Sequence, residues 1–117
     1  MKIANLDGRA VLVLDDEVAD IETVSDGTFT SDPMSVYEQW DAFVDFASGV
    51  SAGTAPLDES HLCCPVPRPR QVFAIGLNYQ EHADESTMDV PETPATFTKY
   101  PASLAGPFDD IEIVADR

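Results

Sequence analysis

Basic residues are scarce in this chain: six Lys and Arg stand against 22 Asp and Glu, a formal net charge of −16 over 117 residues. That balance excludes nucleic acid as a partner, because phosphate binding depends on Lys and Arg displacing counterions. It disfavours an anionic membrane surface for the same reason. No apolar run approaches the length of a membrane span. The start, Met1-Lys2-Ile3-Ala4-Asn5, lacks the apolar region and small-residue cleavage site of a secretory signal. A soluble, cytoplasmic setting is the expectation. Cysteine is confined to the neighbours Cys63 and Cys64, whose side chains diverge too far for an ordinary disulfide and fit free thiols in a reducing compartment. His61-Leu62-Cys63-Cys64 lacks the second ligand pair that structural zinc requires. Internal repeats and low-complexity segments are also missing. The acids are spread along the whole chain, a pattern that fits solubility better than a carboxylate metal site.

What is present suits one domain and a fraction, with 44% apolar residues to build a core. Lys2–Leu6, Ala10–Leu14 and Val18–Val24 read as three strands, with Asp7-Gly8 as a hairpin turn between the first two. They predict an antiparallel meander. A helix follows, started by Asp32-Pro33 or by the box Ser35…Glu38 and stopped at Gly49. Val36, Tyr37, Trp40, Phe43, Val44 and Ala47 recur at helical spacing and predict one buried stripe, with Trp40 and Phe43 packed on the meander. Residues 50–70 read as a connector, with Leu62 opening a short pairing segment. Pro65, Pro67 and Pro69 then impose an extended path. A domain boundary is expected there, dividing a small α+β domain, residues 1–64, from residues 65–117.

Beyond the prolines, Val72-Phe73-Ala74-Ile75 reads as a buried strand with Gly76 as its exit. Asn78 caps a short helix from about Tyr79 to Ser86, which places His82 and Glu85 on one face. Thr96–Lys99 is a strand with Phe97 and Lys99 on one side, and Ile111–Val114 a last strand. An imidazole titrates near neutrality and can take a proton from water and return it, provided that a partner fixes its tautomer. Glu85 is placed to be that partner. On spacing alone, a solvent-facing His–Glu pair that supports its helix is the commoner use of this pattern. A solvent-facing role is likewise the commoner one for a strand Lys such as Lys99. Asp109, Asp110 and Glu112 point in different directions from an extended chain and read as a polar turn and strand edge.

Taken together, Ile75-Gly76-Leu77-Asn78-Tyr79, His82, Glu85, Met88, Pro91, Pro94, Phe97, Lys99 and Ser103 resemble the fumarylacetoacetate hydrolase family. The order and spacing of the set carry the resemblance, which runs from about Pro65 to Pro107, with Pro65-Val66-Pro67-Arg68-Pro69 as the usual lead-in to that family's catalytic domain. The fold it implies is α+β and mostly β: a small N-terminal β-meander plus helix, followed by the start of a mixed-sheet catalytic domain. The activity it implies is metal-dependent cleavage of a carbon–carbon bond in 2-oxo or 1,3-diketo acids through a metal-bound enolate, as in aromatic catabolism. Relatives decarboxylate or isomerise similar acids. His82 and Glu85 become an acid–base dyad, and Lys99 and Ser103 bind substrate. The family's Mg2+ or Mn2+ is held by a carboxylate-x-carboxylate motif and a later Asp beyond the matched stretch. The 117 residues are therefore expected to be the N-terminal portion, with no metal ligand and no activity by themselves. A homodimer acting on a small oxo acid is the implied assembly; the alternative is a non-catalytic dimerisation or partner-binding domain.

Overall fold

Asp7 and Gly8 both take positive φ, 51° and 85°, the left-handed pair that a two-residue type I′ hairpin needs. They join β1 (Lys2–Leu6) to β2 (Arg9–Leu14) in register, Asn5 opposite Ala10 and Ile3 opposite Leu12. The structure is a computed structural model that describes residues 1–76 and 93–113. It divides into two units, Met1–Arg68 with Leu104–Arg117, and Pro69–Ser103. The class is α+β and mostly β, as the sequence implies.

In the first unit β3 (Glu17–Asp20) continues the meander antiparallel to β2. The expected third strand stops there instead of running to Val24, because Asp20 acts as a helix cap. Its Oδ1 accepts from Thr23 N–H (2.9 Å) and from the Thr23 hydroxyl (2.7 Å), and Ile21–Val24 turns into the one-turn helix α1. Arg9 also reaches Asp20, through Nε at 2.7 Å, and Glu22 at 2.9 Å. The guanidinium hydrogen bond, chief among several causes, lowers the Asp20 carboxyl to about 2.

The expected single helix is two: α2 (Ser35–Glu38) and α3 (Trp40–Ser48). Gln39, at φ −128° and ψ 44°, breaks the ladder between them. Asp32 spends its side chain on the Met34 N–H (3.0 Å) and on Arg68 instead of opening a long helix. The break splits the predicted stripe. Val36, Phe43 and Ala47 turn inward with Ala10, Leu12, Ala19, Ile21 and Phe29 to make the core. Tyr37, Trp40 and Val44 are about 40% exposed, and Tyr37 stacks on Trp40 at 6.0 Å outside it. Trp40 still touches Phe43, at 6.1 Å between centroids.

The connector contributes more than its composition announces. Ala55–Pro56 (β4) pairs with β3, and Leu62–Cys63 (β5) pairs with β1, giving the order β4-β3-β2-β1-β5. Pro56 is tolerated because β4 is an edge strand, where a missing donor faces no ladder. Gly53 lets the connector press against β3: a Cβ there would overlap the Glu17 Cβ and stand 3.2 Å from Val18 N. Gly53→Ala is therefore expected to destabilise the sheet by about 1–3 kcal/mol, read as a lower midpoint in urea. Gly8→Ala, with free space around its Cβ, strains only the positive φ of the turn.

The second unit is a hairpin, β6 (Val72–Gly76) against β7 (Ala95–Lys99), with Val72 opposite Lys99 and Gly76 opposite Ala95. Val72, Ala74, Gly76, Ala95, Phe97 and Lys99 share one face by that register. Phe73 and Ile75 lie on the other, 63% and 58% exposed, so β6 is not the buried strand its composition suggests. Ile111 and Ile113, read from sequence as part of a last strand, belong to no strand among the described residues and are about 90% exposed.

Candidate functional site

The hairpin fixes where the predicted chemistry can gather. Pairing of Gly76 with Ala95 brings both ends of the segment 77–94 together at one end of the ladder. His82 and Glu85 belong to that segment and lie outside the described residues, as does the predicted short helix. Lys99 sits at the opposite end of the ladder, beside Val72. At about 3.4 Å per residue the two ends are about 14 Å apart. The chain from Gly76 to His82 can reach at most about 20 Å, so its length permits His82 to share a site with Lys99.

Lys99 is exposed at the end of β7, on the face of Phe97. Among the described residues no carboxylate lies within ion-pair distance of it. Ser103 closes the 3-10 turn Pro101–Ser103. Its hydroxyl donates to the Tyr100 carbonyl (2.8 Å), and its N–H reaches the same oxygen (2.9 Å). A hydroxyl has one hydrogen to give, so in this geometry Ser103 can accept from a substrate, and donating to one requires that it leave Tyr100.

Gly76, read from the sequence as the exit of the strand, also shapes this end of the hairpin through its contact with Phe97. A Cβ on Gly76 would stand 3.2 Å from the Phe97 ring. The glycine lets that ring lie across the end of β6 where segment 77–94 departs. The signal available in advance was the period-2 placement of Phe97 on the Gly76 face.

No three His, Cys, Asp or Glu side chains converge as a metal site among the described residues. Asp109 is already engaged, its Oδ2 accepting from Gly106 N–H (2.6 Å). The described residues therefore do not by themselves fit a divalent cation. Among them, no helix is long and apolar enough to cross a membrane.

Comparison with known proteins joins these parts. The family described as fumarylacetoacetate (FAA) hydrolase C-terminal matches residues 71–117, beginning one residue before β6. Human oxaloacetate tautomerase FAHD2A, mitochondrial, is 32% identical over 74% of this chain and 28% of its own length. A Dictyostelium discoideum fumarylacetoacetate hydrolase domain-containing protein 2 homolog is 30% identical over 63% of this chain and 24% of its own. The crystal structure of a putative HpcE protein from Mycobacterium smegmatis is 42% identical, with a TM-score of 0.83 over 98% of this chain. The chain belongs to the fumarylacetoacetate hydrolase family. It spans about a quarter of the length of these two curated relatives and 41% of the HpcE chain. His82, Glu85, Lys99 and Ser103 all fall inside the segment that the fumarylacetoacetate hydrolase family matches.

Proposed function

We propose that the gene product containing this chain is a cytoplasmic, dimeric, metal-dependent enzyme of the fumarylacetoacetate hydrolase family, acting on a small 2-oxo or 1,3-diketo acid. The likeness of nearly the whole chain to the HpcE structure, at 42% identity, carries the reading. In the leading reaction, His82, oriented by Glu85, removes a proton from water. The hydroxide adds to a carbonyl carbon, the carbon–carbon bond breaks, and its electron pair leaves as an enolate that recovers a proton from the imidazolium. Lys99 offers a fixed positive charge to the substrate carboxylate or to the developing oxyanion. Several relatives carry the name oxaloacetate tautomerase, which supports a second reading: His82 moves a proton between carbon and oxygen of the same acid, with no bond between carbons broken. Magnesium or manganese belongs to either reading, held by residues other than those described.

Calorimetric titration with Mg2+ and Mn2+ tests the placement of the metal. Saturable binding is expected for the longest product of the gene and none for the 117-residue chain. Tight binding by the 117 residues overturns the placement and returns Asp109, Asp110 and Glu112 as ligands. Turnover of an acylpyruvate against ketonisation of oxaloacetate, followed by ultraviolet absorbance, separates the two reactions.

A further inference from the structure

The turn between β1 and β2 meets the turn before β5 through one imidazole. His61 Nδ1 lies 2.9 Å from Asp7 Oδ2, and its Nε2 lies 3.7 Å from Asp58 Oδ2. The backbone repeats the link, with Asp7 N–H donating to the His61 carbonyl (3.1 Å). Asp58 is held for this contact, since its Oδ1 accepts from Ser60 N–H (3.0 Å) and from the Ser60 hydroxyl (2.6 Å). Asp7 is held too, at the positive φ of the hairpin turn. Immediately after His61 comes β5, which is only Leu62 and Cys63. A two-residue edge ladder is a weak attachment, and Asn5 Nδ2 adds one hydrogen bond, to the Cys64 carbonyl at 2.8 Å.

We propose that His61 is a proton-operated strap: the imidazolium between Asp7 and Asp58 fastens β5 to the edge of β1, and loss of its proton loosens that strand. The ionised groups against the ring are Asp7, from the β1–β2 turn, and Asp58, from its own turn; Glu59 follows Asp58 in sequence. With the proton present, two N–H groups face two carboxylates. Without it, the neutral ring has a single N–H to give, and one carboxylate is left against a lone pair. The two acids then face each other with less between them, in a chain that already carries −16. The Asp7 hydrogen bond, followed by the charges of Asp7 and Asp58, holds the His61 pKa above the ordinary imidazole value. A group raised on folding stabilises the folded form fully below its unfolded pKa, and that contribution is lost as pH rises through the raised value. The strap is therefore closed in mild acid and opens toward alkaline pH. What it holds is the strand leading into Cys63-Cys64 and the proline lead-in.

Amide hydrogen exchange on the 117-residue chain tests this, using the Asp7 amide, which donates to His61, and the Leu12 amide in the middle of the sheet as reference. After correction for the intrinsic pH dependence of exchange, protection of Asp7 is expected to fall by about threefold or more between pH 6 and 8.5, with Leu12 unchanged. In His61→Gln the Asp7 amide is expected to lose this pH dependence. A second measurement stands without that variant: the His61 ring titration by NMR, distinguished from His82 with His82→Gln. It is expected above the ordinary imidazole value and lowered in Asp7→Asn and in Asp58→Asn. Flat protection of Asp7 in the wild type, or a ring titration that ignores both substitutions, overturns the strap.

Discussion

Truncating Phe43 to alanine is expected to remove about 3–5 kcal/mol of stability, the largest single loss available in the first unit. Phe43 is fully buried on α3, and its ring meets Phe29 edge-on at 5.5 Å, with Trp40 at 6.1 Å and Phe46 at 6.4 Å. Alanine leaves a void bounded by rings that cannot all collapse into it, so the lost transfer energy and the cavity add. Against a total stability of about 5–15 kcal/mol for an ordinary domain, that loss brings the unit close to unfolding. Trp40→Ala is the control from the same helix. The indole is 43% exposed, and its removal is expected to take about 1–2 kcal/mol. Urea unfolding followed by far-ultraviolet circular dichroism checks both. Equal midpoints for the two variants would mean that α3 does not pack by the face described.

The contrast between these two aromatics shows what the sequence could and could not carry. Helical spacing put both on one stripe, since periodicity treats the helix as unbroken from Val36 to Ala47. The break at Gln39 instead leaves Trp40 as the first residue of α3, where its indole stacks on Tyr37 outside the core while Phe43, three residues on, is buried, and nothing in the periodicity of Val36 to Ala47 announces that break. The Ile21–Val24 turn was missed for a related reason. Ile21 and Val24 suit a strand by composition, but Asp20 had a better use for its carboxylate as a cap. The meander was legible because Asp7-Gly8 dictates its turn and the alternating apolar residues dictate its faces. The edge strands β4 and β5 were hard to read because two residues give no period, and Pro56 argues against a strand except at an edge. At the candidate site, Phe97 and Lys99 share a face as the period of two requires. The engagement of the Ser103 hydroxyl with Tyr100 depends on a 3-10 turn, and Pro101-Ala102-Ser103 does not announce that turn by itself.

Two carboxylate–cation clusters on the first unit have opposite pH signs, which makes them separable in one experiment. Asp20 is lowered to about 2 by Arg9, so its contribution is present above the usual carboxylate range and disappears as pH falls toward 2. The His61 contribution is present in mild acid and disappears as pH rises. The β1–β2–β3 meander is held by the first at every pH above the carboxylate range, and the β5 edge is released by the second as pH rises toward the alkaline side. The edge strand can therefore change while the core strands do not.

Replacing His82 with glutamine in the enzymatically active gene product is expected to lower kcat/KM by about 10²–10⁴, the contribution a positioned acid–base group makes. Glutamine keeps a polar side chain of similar reach but cannot carry a proton, so the loss should appear mainly in kcat. Glu85→Gln keeps the shape and removes the charge that orients the ring, and a smaller loss follows. If the two residues act as a unit, the double variant is scarcely worse than His82→Gln alone, because an unoriented proton acceptor and an absent one fail at the same step. Lys99→Met provides the contrast. A charge used to hold the substrate carboxylate equally in ground and transition states raises KM and leaves kcat nearly unchanged. The pH profile separates chemistry from structure: the acid limb of kcat/KM should vanish in His82→Gln and persist in Lys99→Met. Full activity with an unaltered acid limb in His82→Gln would refute the dyad, and the pair would then be a solvent-facing support for its own segment.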